Sequence, residues 1–160
     1  MSLNLDERKT LVNMEMEKAA TIMSQIDLFH ENKFWDTIAN RLYYAVYHAV
    51  VALFLHDGIE VGTHKTTINR FGNYYVMTGI FTSQDGKLFS RLKSIREASD
   101  YTTTFTITQE TLEPRITEAK DLVERIKNYL KDTPYKDSYD MILKEDDEIP
   151  YNVNSDNPQP

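Results

Sequence analysis

The sequence predicts an all-α fold, an antiparallel up-and-down bundle of four to five helices in one domain. Only five glycines and five prolines occur among the 160 residues, too few for the many turns of an all-β fold. Apolar residues recur at spacings of three and four, which is the helical period. One segment, residues 33–56, is apolar on nearly every side, as a helix surrounded by other helices is.

The first two helices are predicted at residues 6–31 and 35–56. One face of the first helix is apolar throughout, at Val12, Met16, Ala19, Met23 and Ile26. The second helix is apolar on its other faces as well, so we expect it to be buried among the others. Gly58 follows its end, where glycine suits the left-handed backbone that closes a helix.

Three further helices are predicted, at residues 63–77, 84–101 and 112–131. Thr63 and Ser83 are suitable N-caps for the first two, because a hydroxyl oxygen can accept a bond from a free backbone N–H group. Gly72 weakens the middle of the helix that Thr63 begins. In the last helix, Pro114 must lie in the first turn or kink the helix.

The helical domain is assigned to residues 6–131, and residues 132–160 to an acidic tail that is disordered or loosely docked. The tail has eight acidic and two basic side chains, four of the five prolines and no apolar period. We therefore expect truncation after Lys131 to leave the stability nearly unchanged.

A central segment of the chain is basic. Residues 62–96 hold six basic side chains and one acidic one, although the whole chain has a net charge of −7. This basic segment is either a solvated surface or a contact zone for an anion or a nucleic acid.

Composition also narrows the class of protein. The chain has no cysteine, which excludes disulfides and cysteine-based zinc sites, and four scattered histidines do not suggest a metal site. The longest apolar run has 14 residues and includes a histidine and three tyrosines, which makes it short and polar for a membrane span. The N-terminus is polar and shows no signal peptide. We expect a cytoplasmic protein without a membrane segment, a metal or a cofactor.

The strongest candidate site lies on the second predicted helix. Arg41 and His48 are seven residues apart, about two turns, so they share one helix face with Tyr44 between them. An arginine on so apolar a helix needs a carboxylate, an anion or water to offset the cost of burial. The pair belongs either to a polar network that holds helices together or to a functional site.

Two other segments carry candidate residues. Arg96 and Asp100 are an i,i+4 pair, and Asp100 could pair with Arg96 on the surface or with Arg41 inside the bundle. His64 lies in the first turn of its helix, where free backbone N–H groups can bind an anion, or else it is an ordinary exposed histidine. We expect both arginines, His48 and Asp100 to converge in one groove between the second and fourth helices.

The order and spacing of several short pieces match a known family. The pieces are Asn40-Arg41, Tyr43-Tyr44-Ala45, Tyr47-His48-Ala49, Thr63-His64, Phe71, Thr78-Gly79, Leu88, Leu92, Arg96 and Asp100-Tyr101. Over about residues 8–131 the chain resembles the HEPN (higher eukaryotes and prokaryotes nucleotide-binding) domains, in particular the small stand-alone prokaryotic branch often encoded beside minimal nucleotidyltransferases. The resemblance implies a helical bundle, frequently a homodimer, linked to RNA, nucleotides or a nucleotidyltransferase partner, often in a toxin–antitoxin pair.

One part of the family pattern is missing. Many HEPN ribonucleases carry an arginine followed, after four to six residues, by a histidine near the end of a late helix. Here Arg96 is followed by Asp100 and Tyr101, and the similar spacing from Arg41 to His48 lies in the second helix. Tyr101 could bond a phosphate, but it is a poor general base near pH 7 because the pKa of tyrosine is about 10.

Two functions stay open at this point. In the first, the chain is a binding and assembly module for a minimal nucleotidyltransferase, RNA or a nucleotide. Its binding site or polar cluster would then comprise Arg41, Tyr44, His48, His64, Arg96, Asp100 and Tyr101. In the second, the chain is a metal-independent ribonuclease toxin, in which an arginine holds the scissile phosphate and His48 is the general base. The missing late-helix histidine favours the first function.

Overall fold

The computed structural model describes residues 3–136, and this range contains six α-helices and one π-helical turn. The helices are α1 (Leu5–Ser24), α2 (Ile26–Glu31), α3 (Trp35–Asp57), α4 (His64–Phe71), α5 (Ser83–Tyr101) and α6 (Gln109–Asp132). The π-helical turn (Gly72–Val76) continues α4. The all-α bundle predicted from the sequence is confirmed.

Helix α3 is the centre of the bundle, as its apolar surface predicts. Fifteen of its 23 residues are buried, and α1, α5 and α6 all pack against it. By length and composition α3 is also the one helix in residues 3–136 that could cross a membrane. However, 72% of its most apolar stretch is buried inside the bundle, as in the core helix of a folded domain.

The long helices run in alternating directions around α3. Near the start of α1, Arg8 contacts Leu55 at the end of α3, so these two helices are antiparallel. Near the end of α5, Ser99 contacts Asp36 at the start of α3, so α5 is antiparallel to α3 as well. This arrangement places one face of α3 between α1 and α5, and that face carries the candidate site.

The helix ends follow the capping rules, and one N-cap lies one residue earlier than predicted. Thr63 caps α4 as predicted, and Gly58 ends α3 with a φ of 71°. The prediction that Ser83 caps α5 was wrong by one residue. Thr82 is the N-cap, because its side chain accepts from the backbone N–H of Asp85 while the Asp85 carboxylate accepts from the N–H of Thr82.

Three helices differ from their predictions by more than one residue. The first predicted helix breaks at Gln25 into α1 and α2. The α4 segment becomes a π-helical turn at Gly72, the residue expected to weaken it. Helix α6 begins at Gln109, three residues early, because the side chain of Thr108 already caps it. Pro114 is therefore the sixth residue of α6 and lies beyond the first turn.

A buried polar network closes the C-terminal end of α3. The Arg8 guanidinium donates to the carbonyl oxygens of Leu55 and His56, at 2.8 and 2.6 Å, which satisfies two acceptors at the helix end. Asp57 accepts from the hydroxyls of Tyr75 and Tyr129, at 2.8 and 2.7 Å. Burial alone raises the pKa of Asp57, but the hydrogen bonds from His56 and the two tyrosines outweigh it and lower the pKa overall.

Residues 133–136, which we call the C-terminal strap, lie against this network. His56 Nε2 bonds the Thr133 carbonyl at 2.9 Å, and Arg8 donates to the Lys136 carbonyl at 2.6 Å. The ring of Tyr135 packs 4.2 Å from that of His56. The first residues of the predicted tail therefore contact the bundle. These contacts argue against the prediction that truncation after Lys131 leaves the stability nearly unchanged. The rest of the predicted tail, residues 137–160, lies outside the described residues.

Candidate functional site

Three tyrosines of α3 form the floor of the candidate site, and we call this surface the tyrosine face. Tyr47 is four residues from Tyr43 and three from Tyr44, so the three side chains are neighbours on the helix. Tyr43 is fully buried, whereas Tyr44 and Tyr47 are half-buried. The ring centroids are 5.2 to 6.4 Å apart. The face therefore combines an aromatic surface with three hydroxyl groups.

The first residue of α4, His64, lies on the tyrosine face. The Thr63 cap sets the position where α4 begins and so places His64 at the helix start. The imidazole stacks on Tyr47 with the ring centroids 4.4 Å apart and the planes inclined by 10°. Its Nδ1 is 2.5 Å from the hydroxyl oxygen of Tyr43. His64 is thus an ordered part of the site rather than an ordinary exposed histidine.

The surroundings of His64 keep its ring neutral near pH 7. Burial lowers the pKa of His64, and the positive charges of Arg96 and Lys93 lower it further. Burial also raises the pKa of the Tyr43 hydroxyl well above its ordinary value. The contact between His64 and Tyr43 therefore joins a neutral imidazole to an intact phenol.

Arg96 reaches the tyrosine face from α5. Its guanidinium carbon lies 5.0 Å from the ring centroid of Tyr43 and 5.5 Å from that of Tyr44. One terminal nitrogen is 3.4 Å from the Tyr44 hydroxyl and 3.5 Å from a carboxylate oxygen of Asp100. Asp100 therefore pairs with Arg96 and not with Arg41. Within residues 3–136, the Nε of Arg96 is buried without a hydrogen-bond partner.

Arg41 contacts Tyr44 from within α3. Its guanidinium carbon is 5.6 Å from the Tyr44 ring centroid, close enough for a cation–π contact. Two of its nitrogens donate to the side-chain oxygen of Asn40, at 3.1 and 2.7 Å. An amide oxygen carries no net charge, and Arg41 forms no ion pair with any other described residue. Tyr44 therefore has two guanidinium groups at its ring, and that of Arg41 has no carboxylate partner within the described part of the chain.

His48 lies one turn beyond Tyr44 and connects the tyrosine face to α1. Its ring centroid is 5.6 Å from that of Tyr47 and 6.5 Å from that of Tyr44. Its Nδ1 is 2.5 Å from a carboxylate oxygen of Glu15 on α1. The two side chains are 22% and 27% exposed, so solvent reaches the pair. Elements α1, α3, α4 and α5 thus all contribute polar groups to one surface.

A family comparison identifies the domain that carries this surface. The model of the HEPN domain family matches residues 13–129, which is most of the chain. This chain belongs to the HEPN family. The match includes α3, α4 and α5 and the part of α1 that carries Glu15, so the candidate site is part of the HEPN domain itself.

Individual relatives agree with the family match. A protein of Methanocaldococcus jannaschii named "Putative toxin" is 33% identical over 130 residues, which cover 81% of this chain and 96% of that protein. A "UPF0332 protein" of Thermotoga maritima is 23% identical over 128 residues, covering 80% of this chain and 97% of the relative. These relatives are small proteins, and almost their whole length matches this HEPN domain.

The residues predicted from the sequence fall into two groups in this HEPN domain. Five of them converge on the tyrosine face, namely Arg41, Tyr44, His48, His64 and Arg96. Asp100 reaches the face only through its ion pair with Arg96. Tyr101, the last residue of α5, is 78% exposed. The expected convergence between α3 and α5 is therefore present, with Tyr44 rather than Asp100 joining the two arginines.

Four further residues of the HEPN site were not singled out from the sequence. Tyr43 and Tyr47 follow from the same helical spacing as Tyr44, but their apolar surroundings favoured a role in the core. Lys93 lies one turn before Arg96 on α5 and acts on His64 through its charge. Glu15 had no local signal, because it lies on α1 and is 33 residues from His48. Within residues 3–136, no group of three or more metal-ligating side chains lies together.

Proposed function

We propose that the tyrosine face of this HEPN domain binds RNA or a nucleotide. The observation that carries the proposal is the pair of guanidinium groups at one half-buried tyrosine. Arginine donates to phosphate oxygens in a fork-like geometry, and exposed aromatic rings are surfaces on which bases stack. Among residues 3–136, Arg41 has no carboxylate partner to neutralise it, so its charge is available to a phosphate. The half-buried rings of Tyr44 and Tyr47 offer the adjoining aromatic surface.

Arg41→Gln tests this proposal most directly. The variant removes one positive charge beside Tyr44 without opening the core, because Arg41 is only partly buried. We expect the Kd for a fluorescent single-stranded RNA to rise about tenfold, since a charge-assisted bond to phosphate is lost. The dependence of binding on salt concentration should become less steep, because fewer counterions are released.

Arg91→Gln is the matched control. Arg91 belongs to the basic segment 62–96 and lines a cleft between α5 and α6, together with Arg125. Its loss removes the same charge away from the tyrosine face, so RNA binding should change little. If Arg41→Gln binds RNA as tightly as the wild type does, or if both variants weaken binding equally, the tyrosine face is not the binding site.

A second candidate function is metal-independent RNA cleavage. It is favoured by two imidazoles at the same surface, since Tyr47 contacts both His48 and His64. An arginine would hold the scissile phosphate, and His48 would take the proton of the attacking 2′-hydroxyl. Two relatives are named "Putative toxin", and cleavage of RNA is one way in which a protein can be toxic to a cell.

His48→Ala separates binding from cleavage. If His48 is the base, the rate of RNA cleavage in the presence of EDTA should fall by about 10²–10⁴-fold while RNA binding persists. If the wild type does not cleave RNA, the domain is a binding module and His48 has a structural role. In that case His48→Ala should lower the free energy of unfolding, because Glu15 loses its partner.

The proposed function also involves a second copy of the chain and a partner protein. We propose that the chain forms a homodimer in the cytoplasm and pairs with a minimal nucleotidyltransferase that acts as its antitoxin, as the family resemblance implies. Sedimentation at high micromolar concentration measures the first association, and a monomer there contradicts it. Co-expression with the product of the neighbouring reading frame measures the second, with growth and co-purification as the readouts.

A further inference from the structure

A carboxylate from a separate helix holds one nitrogen of His48. Glu15 belongs to α1, and its Oε2 lies 2.5 Å from His48 Nδ1 on α3. The contact follows from the packing of α1 along α3, which is the most extensive helix–helix contact within residues 3–136. Both side chains are partly exposed, so the pair lies at the edge of the bundle and not in its core.

The chemistry of the pair determines where the proton of His48 lies. An ionised carboxylate can only accept hydrogen bonds, so the short contact requires a proton on Nδ1. A neutral imidazole has one N–H group, and its other nitrogen then has a free lone pair. Within residues 3–136, no hydrogen bond involves Nε2 of His48. In the neutral ring Nε2 is therefore an unused proton acceptor.

Among residues 3–136, Glu15 is the one anionic group that contacts the ring of His48. The aromatic neighbours of His48 are Tyr44 and Tyr47 on α3, and His64 on α4 is close enough for the two rings to interact electrostatically. None of these three residues is negatively charged near pH 7. Glu15 thus both orients the imidazole and offers a counter-charge to the imidazolium that forms when Nε2 takes a proton.

We propose that Glu15 is a positioning residue for His48, holding it as the Nδ1–H tautomer so that Nε2 accepts the proton of an RNA 2′-hydroxyl. This inference rests on the cleavage function proposed above. The 2′-oxygen forms a bond to phosphorus, its proton moves to Nε2, and the bond from phosphorus to the 5′-oxygen breaks. The departing 5′-oxygen takes a proton from water. The products are a 2′,3′-cyclic phosphate and a 5′-hydroxyl end.

The decisive readout is the tautomer of His48, measured by ¹⁵N–¹H NMR on the high-pH plateau of its titration. In the full-length wild type we expect the proton on Nδ1. In Glu15→Gln, whose side-chain amide can donate to Nδ1, we expect the Nε2–H tautomer to gain population. Glu17→Gln is the matched control, since Glu17 lies two residues further along α1 and lines a groove between α1 and α6. It should leave the tautomer unchanged.

Cleavage and binding assays on the same variants complete the test. We expect Glu15→Gln to cleave RNA at least about 10²-fold more slowly than the wild type, with the Kd for RNA unchanged. Glu17→Gln should cleave at the wild-type rate. A wild-type His48 with its proton on Nε2, or a Glu15→Gln variant that cleaves normally, overturns the inference. The tautomer of wild-type His48 is measured without any variant, so this outcome does not depend on whether a variant folds.

The assays also separate this inference from the function on which it rests. If the wild type cleaves no RNA, the cleavage function fails and Glu15 has no catalytic partner, whatever tautomer NMR finds. Cleavage by the wild type and none by His48→Ala would support the cleavage function. If Glu15→Gln then cleaves normally, the cleavage function stands and the proposed role of Glu15 is wrong. Unchanged RNA binding in all three variants shows that losses of rate are not losses of affinity.

Discussion

The histidines show how neighbours determine the chemistry of one residue type. His56 is fully buried between the Asp57 carboxylate and the Thr133 carbonyl, which are both acceptors. Both of its nitrogens therefore face hydrogen-bond acceptors. His48 meets a carboxylate at one nitrogen only, and His64 meets a phenol and two cations. The three rings are thus a buried ring between two acceptors, a candidate proton acceptor and a neutral stacked ring.

The environment of His64 predicts an unusually low titration midpoint. We expect His64 to titrate below the ordinary histidine pKa of about 6.5, because burial and the nearby cations disfavour its charged form. Arg96→Gln removes the charge with the larger effect on His64 and should raise the midpoint. Proton NMR titration of the ring hydrogens measures both values, and Arg91→Gln should leave the midpoint where it is. A wild-type midpoint above 6.5 contradicts this account of the site.

The same shift makes the stability depend on pH. His64 binds a proton less readily in the folded chain than in the unfolded one, so protonation favours unfolding. The free energy of unfolding should therefore fall as the pH drops through about 6.5. His64→Asn lacks this titration, so it should lose less stability than the wild type between about pH 7.5 and 5.5. Urea unfolding at the two pH values measures the difference, and equal losses would show that His64 does not contribute.

Among the helices, the end of α3 depends most on residues distant in sequence. Arg8 from α1 donates to the carbonyls of Leu55 and His56, and the C-terminal strap bonds the ring of His56 through the Thr133 carbonyl. The chain also pairs backbone to backbone here, since the N–H of Lys136 donates to the carbonyl of His56 at 3.3 Å. The strap therefore covers polar groups that would otherwise be exposed at a helix end.

Truncation after Asp132 tests the strap. It removes one acceptor from the buried Arg8, one from His56 and the packing of Tyr135. We expect the free energy of unfolding to fall by about 2–4 kcal/mol, because bonds to charged groups contribute about 1.5–3 kcal/mol each. Urea unfolding measures the loss. Truncation after Lys136 keeps the strap and should be as stable as the full chain, whereas equal stability of all three chains contradicts the role of the strap.

For the whole molecule, the distribution of charge matters more than its total. The basic segment 62–96 supplies His64, Lys93 and Arg96 to the candidate site, whereas the chain as a whole is acidic. Residues 137–160 hold seven acidic side chains and one basic one, so their removal changes the formal net charge from −7 to −1. A negatively charged protein repels RNA over a distance set by the salt concentration.

Truncation after Lys136 should therefore strengthen RNA binding. We expect a several-fold lower Kd at low ionic strength, with the difference shrinking as salt screens the repulsion. Fluorescence anisotropy with one RNA at two salt concentrations measures the effect. The variant retains the strap, so a change in folding does not explain the result. Weaker binding after the truncation would indicate instead that residues 137–160 take part in RNA recognition.

The sequence was sufficient for the fold class and for most of the helix positions. Helical periodicity and capping are local signals, since they involve residues within about four positions of one another. For that reason α3 begins at the predicted residue and ends one residue beyond, and Thr63 and Gly58 have their predicted roles. The same spacing placed Arg41, Tyr44 and His48 together, because they share one helix. The family, too, was recognisable from short pieces in order.

The contacts between helices depend on the tertiary structure, because a single sequence does not reveal how helices rotate and slide against each other. Glu15 and His48 are 33 residues apart, and Arg96 is 52 residues from Tyr44. Their contacts require a particular helix packing, to which buried residues all along α1, α3 and α5 contribute. The pair of Asp100 with Arg96 is local to α5, whereas the packing decides that Asp100 does not pair with Arg41 on α3. Which charge has a partner, and which imidazole nitrogen is left to accept a proton, is therefore a property of the packed bundle.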